Sequence, residues 1–474
     1  MFITLEYYII LFFSVLTFFM IKKSCRVFFL SLVSILYCFH LDIYAGTVLL
    51  GLSLINFGMG RVIHKYIREN HEIKAKRILA ISIAGNLGIL IFYKYAVMLL
   101  ELLGATERLS ESWIKLLIIP IGFSFYLFQA ISYLVDIYRK DYEPCENLWE
   151  FLLYMSFFPK LISGPIERPK NFLANVKDLE KVKFWHRGRL SEAFTFFLYG
   201  FFLKVVVADR LVKVVDLLFA EPGEYSSLWI FAGMFFYTFQ IYADFAGYSY
   251  IAIGCAKLFG MKLNVNFKQP YSAETVSEFW KRWHISLSSW LRDYVYIPLG
   301  GNRRGQIRKY TNLIIVFFLC GLWHGDGTTF VIWGLLHGIY SIGEQHYMKK
   351  IPTAIARKLI VFLEVSIAWV FFRAANLKEA ILYFSALLSF QQVPDSMEKL
   401  GLKAIELWVI FGNIIVMLLA DHWGRKKDMV FPQRLQEKGN GTRYFVFYIL
   451  IILIILFGIF GPGYDANNFI YMQF

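Results

Sequence analysis

The sequence has few of the features that mark a secreted protein or a metal-dependent enzyme. Its five cysteines are scattered, without the spacing of a disulfide framework or a zinc site. It contains no His-Glu-x-x-His segment and no Gly-x-Ser-x-Gly elbow. No fixed-period repeat is present, and no polar stretch is long enough for a separate soluble domain. Metal catalysis and a covalent serine mechanism therefore have no support in the sequence, and the cysteines are expected to be packing residues.

What the chain has in abundance is apolar sequence. Hydrophobic residues make up 58% of it and aromatic residues 19%, with a mean hydropathy of +0.52. Runs of roughly 18 apolar residues predict an all-α polytopic membrane protein with about eleven transmembrane helices. The first run lacks a preceding basic residue and a cleavage site, so it is expected to remain as a helix. The predicted spans lie near 3–20, 25–40, 44–60, 78–99, 113–137, 191–208, 227–246, 328–343, 357–372, 406–421 and 444–461.

The same pattern predicts one membrane domain over residues 1–474. Its parts are N-terminal helices at 1–112, a catalytic core at 113–345 and C-terminal helices at 346–474. Shorter or broken runs at 149–163, 312–323 and 378–390 fit either short spans or re-entrant pieces.

The net charge of +14 is concentrated in particular loops. Lys and Arg accumulate on the cytoplasmic side of membrane proteins, so this distribution reports orientation rather than nucleic-acid binding. The turn at Asp42 and segment 104–112, with a single Arg108, are poor in cations. The alternation predicts an N-terminus outside the cytoplasm, and membrane lipids as direct partners. The cation-rich segments assigned to the inside are 22–26, 61–77, 160–189, 262–309, 347–358 and 425–438.

Proline and glycine cluster in the middle third, where they interrupt apolar sequence. In lipid, non-helical backbone is tolerated only against protein or a water-filled cavity, so these clusters predict broken helices around a cavity. We therefore expect the functional core within 157–340. The clusters are "FFPKLISGPIERP" at 157–169, "ADFAGYSYIAIG" at 243–254, "YIPLGGNRRG" at 296–305 and "LCGLWHGDGT" at 319–328.

Segment 277–301 has the pattern of one amphipathic helix. Apolar residues, three of them tryptophans, recur at spacings of three and four, and Lys281, His284 and Arg292 fall on another face. Such a helix is expected to lie at the membrane interface or dip into a polar cavity. The alternative is a surface helix that serves only as an anchor.

Three of the nine histidines lie near these breaks or on the polar faces: His284, His324 and His337. They have no metal-ligand spacing. A neutral imidazole in a partly dehydrated pocket suits a general base, because its pKa lies close to physiological pH. Acyl transfer from a thioester to a hydroxyl is a reaction that needs such a base. His324 could instead cap the broken helix, and His337 could be a packing residue.

The motifs in this region resemble those of a known family. They are "FWKRWHISLSSWLRDYVYIPLGGNRRG" (279–305), "GLWHGDGTTFVIWGLLHG" (321–338), "FFPKLISGPIERP" (157–169), "DFAGYSYIAIG" (244–254), "WVFFRAANLKEA" (369–380) and "FIYMQF" (469–474). Together they are similar to the bacterial branch of the membrane-bound O-acyltransferase family, whose members acetylate alginate, peptidoglycan and other cell-surface polysaccharides.

The resemblance implies a fold with re-entrant helices around a central acyl-transfer tunnel, in the bacterial cytoplasmic membrane. It implies that His324 is the catalytic histidine and that His284 supports it. The donor would be a cytoplasmic thioester, either acetyl-CoA or an acyl carrier protein, with no bound cofactor. An extracytoplasmic partner protein of the acyltransferase or esterase type would complete transfer to the sugar. D-alanyl transfer to teichoic acid is the alternative within the family.

The expected substrate-binding residues surround the two histidines. Arg303, Arg304 and Arg308 form a basic glycine-rich loop that would contact either the phosphates of the donor or anionic lipid headgroups. Asp326, two residues after His324, could orient that histidine or raise its pKa. The set is completed by Trp283, Trp323, Tyr248 and Ser249, although helix packing would explain Tyr248 and Ser249 equally well.

Two other classes of protein share intramembrane polar groups with an acyltransferase. A transporter or flippase would show corresponding interruptions in two halves of the chain, whereas these cluster in one region. A structural scaffold for a polysaccharide export complex would leave His324 and its flanking residues without a role.

Overall fold

The computed structural model describes residues 4–102, 119–120, 122–162, 164–394 and 396–460. These residues form helices and connecting loops, with no strand among them. The chain is grouped into two compact units, 1–193 with 252–264 and 194–251 with 265–474. The cation-poor segment 104–112 and the terminal motif 469–474 lie outside the described residues.

The first unit consists of long N-terminal helices followed by shorter ones. Asn56 and Asn86 exchange side-chain hydrogen bonds of 3.1 and 2.9 Å between two of the long helices. The helices are α1 Leu5–Met20, α2 Arg26–Leu41, α3 Ile43–Arg68, α4 Glu72–Leu102, α5 Phe123–Tyr138, α6 Leu148–Ser156, α7 Pro169–Lys177 and the first part of α8 Arg187–Phe201.

The described residues of the loop 157–168 in the first unit, 157–162 and 164–168, are non-helical, as the proline and glycine content predicted. Two buried charged side chains hold it in place. Lys160 donates to the carbonyl oxygen of Tyr154 at 2.7 Å and to the Gln129 side chain. The Glu167 carboxylate accepts from the backbone and side-chain nitrogens of Asn264 at 2.7 and 2.8 Å. These hydrogen bonds meet the requirement that buried charge be compensated inside the protein.

The second unit contains the two histidine motifs. Its helices are the end of α8, α9 Asp209–Ala220, α10 Ser227–Leu258, α11 Val276–Arg282, α12 Ile285–Leu291, α13 Gln306–His324, α14 Thr328–Tyr347, α15 Ala354–Arg373, α16 Leu377–Leu388, α17 Ser396–Lys399, α18 Ala404–Arg425, α19 Phe431–Gln436 and α20 Asn440–Phe457.

Six described helical segments are long and apolar enough to cross a membrane, and the shorter α1 is also apolar. The expectation of an all-α polytopic membrane protein is confirmed, while the number of about eleven spans stays a prediction. The six segments are Lys23–Leu41, Ile43–Arg68, Glu72–Leu100, Arg187–Ala220, Ala404–Arg425 and Asn440–Phe457.

The segment 243–254 does not break a helix, which corrects the sequence prediction. It lies inside the continuous helix α10. Its Gly247 instead allows close packing, since a Cβ there would lie 2.9 Å from the carbonyl oxygen of Gly200. Between α8 and α9 the chain forms a wide π-helical turn, Phe202–Ala208. In that turn the buried Lys204 ammonium lies 2.8 Å from Asp209 and 2.7 Å from Asp244.

Candidate active site

The site is built on the hairpin of α13 and α14. His324 is the last residue of α13, Gly325 is extended, and α14 begins at Thr328. A Cβ at Gly321 would collide with the backbone of Phe330, and one at Gly334 with the carbonyl oxygen of Phe317. The two helices therefore meet backbone against backbone. The helix end that the Gly-Asp-Gly sequence predicted lies at His324.

The His324 side chain is buried, with 4% of its surface exposed. Its Nδ1 lies 2.7 Å from the carbonyl oxygen of Cys320, one turn earlier in α13. A carbonyl oxygen only accepts hydrogen bonds, so Nδ1 carries the proton and neutral Nε2 keeps its lone pair. The ring centroid of His324 lies 4.7 Å from those of Trp323 and Trp333. The geometry therefore sets the tautomer in which Nε2 can accept a proton.

The segment 277–301 is not one helix, contrary to the sequence prediction. It is divided into α11, α12 and a π-helical turn, with a break at Trp283 and His284, whose φ is 42°. The reason is a long-range contact. Segment 266–268 crosses the break, where the nitrogen of Lys268 donates to Arg282 at 2.9 Å and that of Ile285 donates to Asn266 at 3.0 Å. Backbone groups that a continuous helix would use internally are satisfied by this segment instead.

The break turns His284 into the protein rather than toward the surface. The side chain is fully buried, and its ring lies 4.9 Å from that of Phe245. Its centroid is also 6.0 Å from that of Trp323, whose ring lies 4.7 Å from that of His324. The structure thus brings the two motif histidines to the same indole ring. The alternative of a surface anchor for this segment does not fit the burial of His284 and Trp283.

The third histidine, His337, has a different environment. Its Nδ1 accepts a hydrogen bond of 3.2 Å from the indole nitrogen of Trp280. The ring packs at 5.1 Å from both Trp280 and Trp333, and all three side chains are buried. His337 therefore fixes the orientation of Trp280, in agreement with its interpretation as a packing residue.

A cavity of about 370 Å³ lies beside this aromatic cluster. One wall is a stripe on α13 with helical spacing of three and four, and His324 is the next residue of that stripe. The stripe runs from Lys309 to Cys320, which lies one turn before His324, a distance of roughly 16 Å at 1.5 Å per residue. Its residues are Lys309, Leu313, Val316, Phe317 and Cys320.

The other walls of the cavity carry both polar and aromatic side chains. The polar ones include Ser277, Glu344, Gln345 and Arg292, and the aromatic ones include Trp280 and Tyr296. The Glu344 carboxylate accepts from the Val276 and Ser277 nitrogens at the start of α11. Burial raises the pKa of Glu344 above its ordinary value, while the hydrogen bonds from Ser277 and Val276 oppose that shift.

The three predicted arginines precede Lys309, a residue that lines the cavity, and do not line it themselves. Arg303, Arg304 and Arg308 are exposed on the turns before α13 and on its first turn. Gly300 and Gly301 adopt positive φ angles of 106° and 55°, which favour glycine. The cavity-lining Lys309 follows directly on the same helix. The arginines are therefore available to an anionic group at the cavity mouth.

The remaining predicted residues are placed as follows. Tyr248 and Ser249 are buried in α10, and Asn266 donates to the Ser249 hydroxyl at 3.5 Å. Because Asn266 also holds the break before α12, Ser249 supports His284 through it. Asp326 is exposed, and Nδ1 of His324 donates its hydrogen bond to the Cys320 carbonyl oxygen rather than to Asp326. Within the described residues no cluster of side chains could hold a metal ion.

Residues 145–377 match the model of the membrane-bound O-acyltransferase family. A probable alginate O-acetylase of Pseudomonas syringae pv. tomato is 38% identical over 366 residues, which cover 75% of this chain and 70% of the relative. The chain belongs to the membrane-bound O-acyltransferase family. The resemblance recognised from the histidine motifs is thereby confirmed, as is the general expectation of an O-acyltransferase.

Other members of the family differ in the group and polymer that their names state. A peptidoglycan O-acetyltransferase of Helicobacter pylori is 34% identical over 366 residues, 70% of this chain and 68% of the relative. A teichoic acid D-alanyltransferase of Streptococcus thermophilus is 31% identical over 244 residues, 49% of this chain and 58% of the relative. For the five alginate O-acetylases compared, the matched region covers 55–70% of the relative's length.

Two parts of the site were not predicted from the sequence. The first is the group that orients His324. It is the main-chain carbonyl oxygen of Cys320, and the types of the side chains carry no information about it. The second is the set of residues that line the cavity, the α13 stripe and Trp280, since the sequence predicted a cavity without these walls. The spacing of Lys309, Phe317, Cys320 and His324 carries a signal for the cavity, because such residues share one face of a helix.

Proposed function

We propose that the protein transfers an acyl group, acetyl in the first instance, from a cytoplasmic thioester toward the O-acylation of a cell-surface polysaccharide in the bacterial cytoplasmic membrane. The observation that carries this proposal is the position of His324. It is a buried imidazole with Nδ1 fixed by a main-chain carbonyl, and it continues the stripe of residues that lines a cavity.

In the proposed reaction Nε2 of His324 takes the proton of an acceptor hydroxyl as its oxygen attacks the thioester carbonyl. The tetrahedral intermediate then collapses, the carbon–sulfur bond breaks, and the imidazolium returns the proton to the departing thiolate. The products are an ester and a free thiol, so no other reactant is required. His284, whose ring lies 6.0 Å from that of Trp323, has the supporting role.

The cavity is proposed to hold the pantetheine arm of the donor. Coenzyme A and acyl carrier proteins share this arm, which joins a phosphate to the thioester through a narrow, largely uncharged chain. The cations Lys309 and Arg308 stand at one end of the α13 stripe, and Cys320 and His324 at the other. A donor phosphate at the cations would direct the thioester toward the histidine.

The acceptor is proposed to reach the site from the extracytoplasmic side, with a partner protein completing transfer to the polymer. D-alanyl transfer to teichoic acid is the second candidate, because a D-alanyltransferase is among the relatives. The group transferred distinguishes the two candidates, since acetyl and D-alanyl esters are both released by mild base and differ in mass.

The test measures ester release from cell envelopes. The protein is expressed at matched membrane levels in a host that lacks other polysaccharide O-acyltransferases, with its neighbouring genes supplied. His324→Ala should reduce the ester by about 10²–10⁴-fold, the usual contribution of a positioned general base. His422→Ala, which changes an exposed histidine on α18, is the matched control and should retain the wild-type ester content.

Wild-type ester content in the His324→Ala strain would show that His324 is not the general base, and would favour a structural scaffold. Absence of any ester in the wild-type strain, with movement of a polymer or lipid across the membrane, would favour the transporter. Release of D-alanine in place of acetate would select the second candidate.

A further inference from the structure

The wall of the cavity on α13 contains one well-held indole. Trp280 lines the cavity, is 7% exposed, and packs its ring 5.3 Å from Phe317 and 5.8 Å from Trp333. Trp333 in turn lies 4.7 Å from His324. The Trp280 ring therefore borders the space available to a donor and packs against a ring that contacts the proposed base, while Cys320 carries the cavity wall on toward His324.

The orientation of this indole is fixed more firmly than packing alone requires. Its nitrogen donates to Nδ1 of His337 at 3.2 Å, with the two rings nearly perpendicular at 84°. His337 itself is fully buried and lies parallel to Phe279, with an angle of 5° and centroids 6.1 Å apart. A rotation of Trp280 would leave a buried donor and a buried acceptor unpaired, which is costly in a dry interior.

We propose that Trp280, held by His337, determines which acyl groups the protein accepts. The inference rests on the proposed function, because it places the pantetheine arm in the cavity with its acyl group against the indole. A short acyl group such as acetyl fits in front of the ring. Each additional methylene would have to displace an indole that cannot rotate cheaply, so longer groups are rejected.

The test compares acyl groups on one carrier by binding, which requires no acceptor. Detergent-solubilised full-length protein is equilibrated with radiolabelled acetyl-CoA, and propionyl-CoA and butyryl-CoA are used as competitors. A methylene that gains burial is worth roughly fourfold in affinity. In Trp280→Leu the preference for acetyl over butyryl should fall by about tenfold or more relative to the wild type.

Three further variants make the result specific. Trp280→Phe keeps an aromatic wall and should shift the preference in the same direction by less, which covers the case in which the leucine variant does not fold. His337→Leu removes the acceptor of the indole and should also relax the preference. Trp290→Leu makes the same change at a tryptophan that is 5% exposed and does not line the cavity, and should leave the preference unchanged.

If the role of Trp280 were purely structural, its substitution would weaken the binding of all acyl-CoA molecules equally and leave the ratio of their affinities unchanged. That outcome overturns the inference. An unchanged ratio in both Trp280 variants does the same and leaves the proposed acyl transfer standing. Failure of the wild-type protein to bind any acyl-CoA would overturn the inference and exclude coenzyme A as the donor, while acyl transfer from a carrier protein would stand.

Discussion

At the scale of the residue, His284 is held in a backbone conformation that few side chains adopt. Its φ of 42° lies in the left-handed region, and its ring is fully buried. That region costs most residues roughly 1–2 kcal/mol, whereas asparagine adopts it more readily. A substitution here therefore changes both the chemistry of the site and the strain of the break.

These two effects can be separated with two variants. His284→Ala and His284→Asn should both reduce ester formation, but by less than His324→Ala, because the proposed role of His284 is supporting. The asparagine variant should have the higher midpoint of thermal unfolding. Ester release and unfolding are measured on the same membrane preparations. Equal loss of activity in His284→Asn and His324→Ala, with both proteins folded, would contradict the assignment of roles.

The sequence predicted the position of His324 better than that of His284. The glycines after Trp323 are a local signal, and the helix ends there. The break before α12 depends on Asn266 and Lys268, which lie 19 and 14 residues before their hydrogen-bond partners Ile285 and Arg282. Local spacing contains no information about such a contact, so the pattern predicted a continuous helix.

At the scale of the element, the loop before α13 is expected to bind the phosphate end of the donor. Replacement of Arg303, Arg304 and Arg308 by alanine should raise the donor concentration needed for half-maximal ester formation by roughly tenfold or more, since charge-assisted hydrogen bonds are among the stronger polar contacts. The maximal rate should change little, because no arginine approaches the aromatic cluster in the proposed arrangement.

The matched control changes two exposed cations that follow α14. Lys349→Ala with Lys350→Ala also reduces the positive charge of the protein, so it accounts for general attraction of an anionic donor. An identical donor requirement in the triple arginine variant and this control would assign the loop to lipid headgroups.

The π-helical turn after α8 places a buried cation between two carboxylates. Removal of one member of such a cluster leaves charge without compensation, which costs about 3–5 kcal/mol. Lys204→Met should therefore lower the midpoint of thermal unfolding markedly, and adding Asp244→Asn should restore part of the loss. The exposed Lys213→Met on α9 is the control. Equal midpoints for Lys204→Met and Lys213→Met would show that the cluster is energetically neutral.

Glycine in α10 shows why breaks were predicted where none exists. In a water-soluble loop Gly247 would favour a turn, but here it permits the approach of α8, with Gly200 opposite. Small residues at helix contacts are frequent in membrane proteins for this reason. Composition alone does not distinguish a glycine that ends a helix from a glycine that allows another helix to pack closely against it.

At the scale of the whole molecule, the distribution of Lys and Arg predicts an N-terminus outside and segment 262–309 inside. Cysteine introduced at Ser226 should react with a membrane-impermeant thiol reagent in intact cells. Cysteine at Gln306 should react only after the membrane is opened. The background should carry Cys25→Ser, because Cys25 is the exposed native thiol among the described residues, the other four being buried.

The converse labelling pattern would reverse the orientation and place the proposed donor cavity on the wrong side for a cytoplasmic thioester. Labelling at both positions in intact cells would indicate a leaky preparation, and the Cys25→Ser protein without an introduced cysteine accounts for labelling of the buried native thiols.

The hydrogen bond from His324 to Cys320 has a consequence for how such a site can change during evolution. In a Ser-His-Asp catalytic triad the group that orients the histidine is the aspartate side chain, so a single substitution can remove it. Here the orienting group belongs to the main chain, which every residue at position 320 supplies. The helix that carries the histidine also carries its support, and substitutions that remodel the neighbouring pocket leave that support intact. The pocket could therefore adapt to a different acyl donor by substitution while His324 keeps the hydrogen bond that orients it.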